Sequence, residues 1–248
     1  MYEPALSRNH TELMLSSFGA VVESGTVENP VAKISPGAVL HGQEIRVPGD
    51  ISSAAFFMGA ALIVQGSEIL LKNTGINPTR DGIIRVFKEM GADIGLKNER
   101  TEAGEKTADI LVKYSPDMKG CTIGGNIIPT LIDELPLIAV VAALAKGDTV
   151  IRDAAELKVK ESNRISLMVA NLCAMGVDAE ERDDGMVIHG GKPLRHAVID
   201  SGKDHRIAMS FSVAALACSD VRPTEIRDSA CVGISYPLFY RDLDELMK

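Results

Sequence analysis

Three long uncharged runs punctuate the chain, at residues 51–65 (ISSAAFFMGAALIVQ), 135–145 (LPLIAVVAALA) and 207–219 (IAMSFSVAALACS). All fall short of the about 18–20 apolar residues that a bilayer span needs. A helix that is apolar on every side is expected only where it is buried all round, so the pattern predicts three interior helices. Ala-Ala-Leu recurs in each, at Ala60, Ala142 and Ala214. Its spacing of about 70–80 residues is too long for a solenoid unit and suits a repeated supersecondary block.

The segments after the runs repeat as well. Ser67-Glu68-Ile69-Leu70-Leu71, Asp148-Thr149-Val150-Ile151 and Thr224-Glu225-Ile226 have the β-branched, turn-bounded character of short strands. Ile83, Ile84, Phe87 and Met90 then mark the apolar stripe of an amphipathic helix that stops at Gly91, and Ile165, Met168, Leu172 and Met175 mark another that stops at Gly176. Met90-Gly91-Ala92-Asp93 and Met175-Gly176-Val177-Asp178 nearly match. Each leads to a strand, a charged turn (97–106 and 180–185) and a second strand (110–114 and 186–189). The expected fold is therefore α+β, built from β-α-β-α-β-β units present twice in full and once in shortened form, over residues 43–115, 119–190 and 191–248.

Residues 1–42 stand outside this unit. A helix is expected over 11–19, a strand over 20–23, and a Gly/Pro-rich loop-and-strand passage over 31–42. This resembles the end of a preceding lobe and a crossover, which leads to the expectation that the chain is a fragment, with residues 43–248 forming the following lobe.

Composition narrows the function classes. The 248 residues are 46% hydrophobic and 24% charged, an ordinary globular balance. With no Trp, the core must come from aliphatics and the 10 Met. A formal charge of −8 and the lack of any Lys/Arg-rich run interleaved with aromatics argue against nucleic-acid binding. An anionic ligand would need local cations to overcome that field. Cys121, Cys173, Cys218 and Cys231 form no CxxC pair, and no His stands at metal-ligand spacing, so reduced thiols and no metal are expected. The opening Met1-Tyr2-Glu3 has neither the basic nor the apolar region of a secretory signal, so a cytoplasmic setting is expected.

The candidate chemistry gathers in four places. In Leu157-Lys158-Val159-Lys160-Glu161-Ser162-Asn163-Arg164, a helical backbone would put Lys160 and Arg164 on one face, with Glu161 about 100° around the axis. That arrangement could grip a phosphate or carboxylate beside a proton carrier, and a solvated helix start has the same spacing. The repeat places three more clusters at the starts of the interior helices: Asp50; Asp133 with Glu134; and Asp204, His205 and Arg206. Asp50 reads as an N-cap. Asp133 and Glu134 suit either a dipole-compensated cap or a general base in a low-dielectric cleft. His and Arg at a helix start oppose the macrodipole, and anion binding would supply a reason for them; a surface turn remains the other reading.

Ile132-Asp133-Glu134-Leu135-Pro136, the 157–164 segment and Asp204-His205-Arg206-Ile207-Ala208-Met209 closely resemble, in order and spacing, the C-terminal lobe of the EPSP synthase (3-phosphoshikimate 1-carboxyvinyltransferase) family. Val47-Pro48-Gly49-Asp50-Ile51-Ser52-Ser53-Ala54 and Ser7-Arg8-Asn9-His10-Thr11-Glu12 agree too, so the resemblance covers essentially the whole chain. It implies one lobe of the two-lobed enolpyruvyl transferase architecture, each lobe holding three such units. The implied reaction transfers the carboxyvinyl group of phosphoenolpyruvate to the 5-hydroxyl of shikimate 3-phosphate, releasing phosphate, in aromatic amino acid biosynthesis, without a cofactor or metal. It implies Asp133 as base at the attacking hydroxyl, Glu161 as proton donor to the methylene, and Lys160 beside both substrates. Arg164 and Arg206, with His205 beside them, would hold phosphoenolpyruvate, and Arg8, Asp133 and Lys160 would contact shikimate 3-phosphate.

Two departures qualify this. Ile234, in Gly233-Ile234-Ser235-Tyr236-Pro237, stands where many relatives carry Lys. The family's N-terminal-lobe substrate residues have no match, so the implied partner is that other lobe and the chain alone is expected to be inactive. The alternatives are a non-catalytic anion-binding or interaction module, and a carboxyvinyl transferase acting on UDP-N-acetylglucosamine.

Overall fold

The structure, a computed structural model of the chain, describes residues 1–218 and 222–248. Ser219, the last residue of the third uncharged run, lies outside the described residues. The leading segment forms α1 (His10–Ser17) and a small antiparallel pair, β1 (Val22–Ser24) with β2 (Ala32–Ile34). It docks on the first repeat through polar contacts: His10 Nδ1 lies 2.6 Å from Glu105 Oε1, and Asn77 Nδ2 donates to Asn9 Oδ1 at 2.9 Å.

The first repeat contains α2 (Ile51–Ile63), β3 (Glu68–Gly75), α3 (Gly82–Glu89), β4 (Ile94–Glu102) and β5 (Glu105–Lys113). The second contains β6 (Thr122–Ile123), α4 (Leu135–Leu144), β7 (Asp148–Ile151), α5 (Arg164–Ala174), β8 (Asp178–Arg182) and β9 (Gly185–His189). The third contains β10 (Val198–Ile199), α6 (His205–Ala215) and β11 (Glu225–Ile226), and closes with α7 (Phe239–Leu246) in place of a hairpin.

The sheets show the repeat directly. The second has the order β6-β7-β9-β8, with β6 parallel to β7 and the other pairs antiparallel. The first has β3-β5-β4, and a parallel bridge between Gly49 and Thr74 stands where β6 stands in the second. The opening strand of repeat one is thus reduced to a single bridge, a correction to the expectation of two full units. Pro48 supplies no N–H to a ladder, which limits pairing at that point.

The two charged stretches also differ from expectation. Most of residues 97–106 continues the β4–β5 hairpin, and its turn is confined to Ala103 and Gly104, both with positive φ. The outer half of this hairpin leaves the core, so no apolar face marks it as strand. In the second repeat the turn is likewise only Asp183 and Asp184.

The amphipathic helices α3 and α5 end alike. Ala92 N donates to Phe87 O and Gly91 N to Lys88 O; Val177 N donates to Leu172 O and Gly176 N to Cys173 O. With φ of +95° at Gly91 and +88° at Gly176, these are paired Schellman stops that only glycine adopts at low cost.

The three uncharged runs become α2, α4 and α6, which pack on one another at the centre. In α4 every residue from Leu135 to Ala143 is buried. Phe239 closes the ring of repeats, its side chain 5.8 Å from Phe56 and 5.9 Å from Phe57 between ring centroids. Among the described residues no helix is long and apolar enough to cross a membrane. The helices approach closely at Gly59, where an added Cβ would lie 2.8 Å from Leu137 Cδ1. Leu137 is itself buried, so moving it aside would disturb its core neighbours. Gly59→Val is therefore expected to cost about 1–3 kcal/mol through overpacking, read by chemical denaturation. An unchanged midpoint would mean that α2 and α4 are not locked there.

Candidate active site

The starts of the three central helices face a common point. Asp50 caps α2, accepting from Ser53 N at 3.1 Å, and Asp204 caps α6, accepting from Arg206 N at 2.9 Å. The α4 helix starts differently: Pro136 occupies its first turn, and no side chain caps it. Asp133 and Glu134 are therefore not capping carboxylates. Both turn away from their own helix toward other elements.

Asp133 lies at the centre of a cationic ring. Arg8 Nη2 donates to Asp133 Oδ2 at 2.6 Å, and Arg206 Nη2 lies 3.7 Å from the same oxygen. Arg164 Nη1 lies 3.5 Å and Lys160 Nζ 4.0 Å from Asp133 Oδ1. Burial opposes ionisation of this carboxyl, but Arg206, Arg8 and Lys160 outweigh it and hold the pKa at about 2.

The 157–164 segment brings Lys160 and Arg164 together by a route other than a shared helix face. Residues Ala155–Val159 form a 3-10 turn, Lys160 is extended, and α5 begins only at Arg164, with Asn163 Oδ1 accepting from Ser166 N at 3.3 Å. The Asn163 cap starts a new helix, so the i,i+4 geometry expected for the pair is absent. They converge on Asp133 instead from successive elements. Lys160 also pairs with Glu156.

Arg164 has no exposed surface, and its guanidinium is held on three sides. Its Nε donates to Asp204 Oδ2 at 2.8 Å, its Nη2 donates to Asp204 Oδ1 at 3.3 Å and pairs with Glu161, and its Nη1 forms no hydrogen bond. Ser162 Oγ adds a bond to Asp204 Oδ2 at 2.9 Å. Burial alone would raise the pKa of Asp204, but the bonds and charge of Arg164 reverse this and lower it. Glu161 stays about half exposed at the edge of the ring.

Arg206 links two helix starts. Its Nη1 donates to the Asp133 carbonyl at 3.1 Å and lies 3.7 Å from Glu134 Oε1. Glu134 is buried and accepts a hydrogen bond from Ser52 Oγ on α2. Burial pushes its pKa up, against the opposing effects of Ser52, Arg206 and Arg80. His205 is buried at the first position of α6, where burial and then Arg206 lower its pKa. It makes no hydrogen bond to the other site residues among the described residues. Ile234 ends a short 3-10 turn, Ser229–Ile234, and is exposed.

Sequence reasoning gives no role to Arg80 and places Ser52 only within a longer motif. Arg80 Nη2 donates to Ser52 Oγ at 2.7 Å and lies 3.3 Å from Asp50 Oδ1. A single cation between the Asn77-Pro78-Thr79 turn and the amphipathic helix α3 carries no periodic signal that would expose this contact.

The arrangement can hold an anion with fixed cations while keeping the ionised carboxylate of Asp133 among them. Comparisons with known proteins identify the family and the fold. The EPSP synthase (3-phosphoshikimate 1-carboxyvinyltransferase) family model matches residues 2–243. A 3-phosphoshikimate 1-carboxyvinyltransferase of Synechococcus sp. (strain RCC307) is 51% identical over 99% of this chain and 56% of that protein. One from Thermoanaerobacter sp. (strain X514) is 54% identical over 98% of this chain and 56% of that protein. The structure of EPSP synthase from Acinetobacter baumannii superposes with a TM-score of 0.90 at 43% identity, covering 99% of this chain and 56% of the other. The enolpyruvyl transferase NikO from Streptomyces tendae shares the fold, with a TM-score of 0.68 at 20% identity. The chain spans about half the length of the curated relatives it matches.

Proposed function

The chain belongs to the EPSP synthase family, and on that footing we propose that it forms the C-terminal lobe of an enzyme that transfers the carboxyvinyl group of phosphoenolpyruvate to the 5-hydroxyl of shikimate 3-phosphate. The observation that carries this reading is the ring of Arg8, Lys160, Arg164 and Arg206 around the single carboxylate of Asp133. Asp133 takes the hydroxyl proton as oxygen bonds to C2 of phosphoenolpyruvate, and Glu161 gives a proton to C3. Elimination then returns a proton from C3 to Glu161, breaks the bond between C2 and the phosphate oxygen as the leaving phosphate takes up the proton held by Asp133, and restores the vinyl group. Arg164, Arg206 and His205 hold phosphoenolpyruvate, Arg8 and Asp133 contact shikimate 3-phosphate, and Lys160 lies beside both substrates. Fixed cations suit this chemistry because negative charge builds up on bound groups that already carry several charges. A cytoplasmic setting goes with the reading.

These residues form one wall of the cleft. A closed cleft supplies positioning and desolvation worth many orders of magnitude in rate, so the second lobe is required. Phosphate release should be undetectable with the 248-residue chain alone and should appear when the N-terminal lobe of a relative is supplied or fused. Steady release by the chain alone would refute the half-site part of the reading. Failure of the assembly, with no binding of either substrate by calorimetry, would favour the non-catalytic module. Turnover with UDP-N-acetylglucosamine as the preferred acceptor would reassign the substrate.

A further inference from the structure

Arg206 poses a placement problem. It stands in the first turn of α6, where its charge opposes the helix dipole, and its side chain is only 15% exposed. A cation so placed needs acceptors on more than one side. The Asp133 carbonyl takes Nη1, and the Asp133 carboxylate lies near Nη2, but that carboxylate is shared with three other cations and is the group that would change protonation during the proposed reaction. The remaining neighbour is Glu134, with Oε1 3.7 Å from Arg206 Nη1.

Glu134 is costly to keep where it is. It is 2% exposed, it caps no helix, and its Oε2 has no hydrogen-bond partner, whereas buried carboxyls ordinarily use both oxygens. Its one bond comes from Ser52, and that hydroxyl has a fixed direction. Ser52 Oγ accepts from Arg80 Nη2 at 2.7 Å, so its single proton points to Glu134 Oε1. Arg80 is steadied in turn by Asp50 at the start of α2. The line Asp50, Arg80, Ser52, Glu134, Arg206 runs through the starts of α2, α4 and α6 and ends on a cation of the site.

We propose that Glu134 is a positioning residue, held by Ser52 and Arg80, that anchors Arg206 from behind so that its guanidinium keeps its place whatever the state of Asp133. The inference deepens the enolpyruvyl-transfer reading and rests on it for the ligand that Arg206 holds. The anchoring itself belongs to the free chain.

The test compares Glu134→Gln, which keeps the shape and the Ser52 contact but removes the charge, with Ser52→Ala, which removes the hydroxyl and is a small change should the first variant fold poorly. In the free chain, hydrogen exchange of the Arg206 guanidinium, assigned by its loss in Arg206→Lys, should be at least about tenfold faster in both variants. In the two-lobed assembly, KM for phosphoenolpyruvate should rise by about ten- to a hundredfold while kcat stays within about threefold, because a displaced ground-state clamp weakens binding before chemistry. Unchanged guanidinium exchange in both variants would overturn the proposal. So would a fall in kcat with KM intact, which would put Glu134 in the chemistry instead. If the wild-type assembly does not turn over, the function reading fails, and the exchange measurement still decides whether Glu134 anchors Arg206.

Discussion

Asp204→Ala is expected to lower the stability of the chain by about 3–5 kcal/mol, because it strips the main counter-charge from a fully buried guanidinium. Arg164 is bonded to Asp204 at 2.8 and 3.3 Å, and neither residue has exposed surface. The same carboxylate caps α6 and accepts from Ser162, and loss of a cap adds about 1 kcal/mol. Glu161 and Asp133 remain near Arg164, which places the total toward the lower end of that range. Calorimetry should show a fall in Tm of roughly 10 °C. Asp204→Asn retains an oxygen for the cap and should lose less. The pKa of Asp204 is lowered in the folded state, so its contribution is complete above the unfolded aspartate value of about 4 and drains away as pH falls through the folded value. Wild type and variant should therefore differ most near neutrality and converge in acid. A loss under about 1 kcal/mol would show that Arg164 does not depend on Asp204.

On the proposed reading, Asp133→Asn in the two-lobed assembly should lower kcat by about two to four orders of magnitude, since an amide can still accept from Arg8 but cannot take a proton. The pH profile offers a sharper check. With Arg206, Arg8 and Lys160 holding its pKa at about 2, the free-state carboxylate is fully ionised above about pH 4, so kcat/KM should show no acid limb from Asp133 in the neutral range. A carboxylate that acidic is also a weak base. Anionic substrates bound to Arg8 and Arg206 would offset their positive charge and place negative charge beside Asp133, raising its pKa, so an acid limb from Asp133 is expected in kcat at a higher pH. A variant that keeps kcat within about tenfold of wild type would remove Asp133 from the role of base.

The parts of this structure legible in the sequence are those with a local physical signature. Uncharged runs forecast α2, α4 and α6 because no other environment tolerates a helix apolar on all sides. The Met-Gly pairs at Gly91 and Gly176 forecast helix stops because the chain there must enter the left-handed region. The ring around Asp133 is foreseeable residue by residue only through family resemblance, since its members come from residues 8, 133, 160, 164 and 206. Contacts that depend on tertiary geometry are not legible. The helical reading of Lys160 and Arg164 misses the Asn163 cap that separates them, and no pattern points from Glu134 to Ser52 and Arg80. The outer β4–β5 hairpin reads as turn because its inner face is covered by polar contacts, as where His10 meets Glu105, and so carries charged residues instead of a period-two apolar signal.

The convergence of three helix starts has a consequence for cooperativity. Each repeat contributes one start, so no single unit owns the site, and local opening of any one of them would scatter the charges of all three. A ligand seated there would bridge segments far apart in sequence, from Arg8 to Arg206, and its binding energy would be returned as resistance to partial unfolding. Recognition and mechanical integrity are, in this architecture, two readings of the same central contacts.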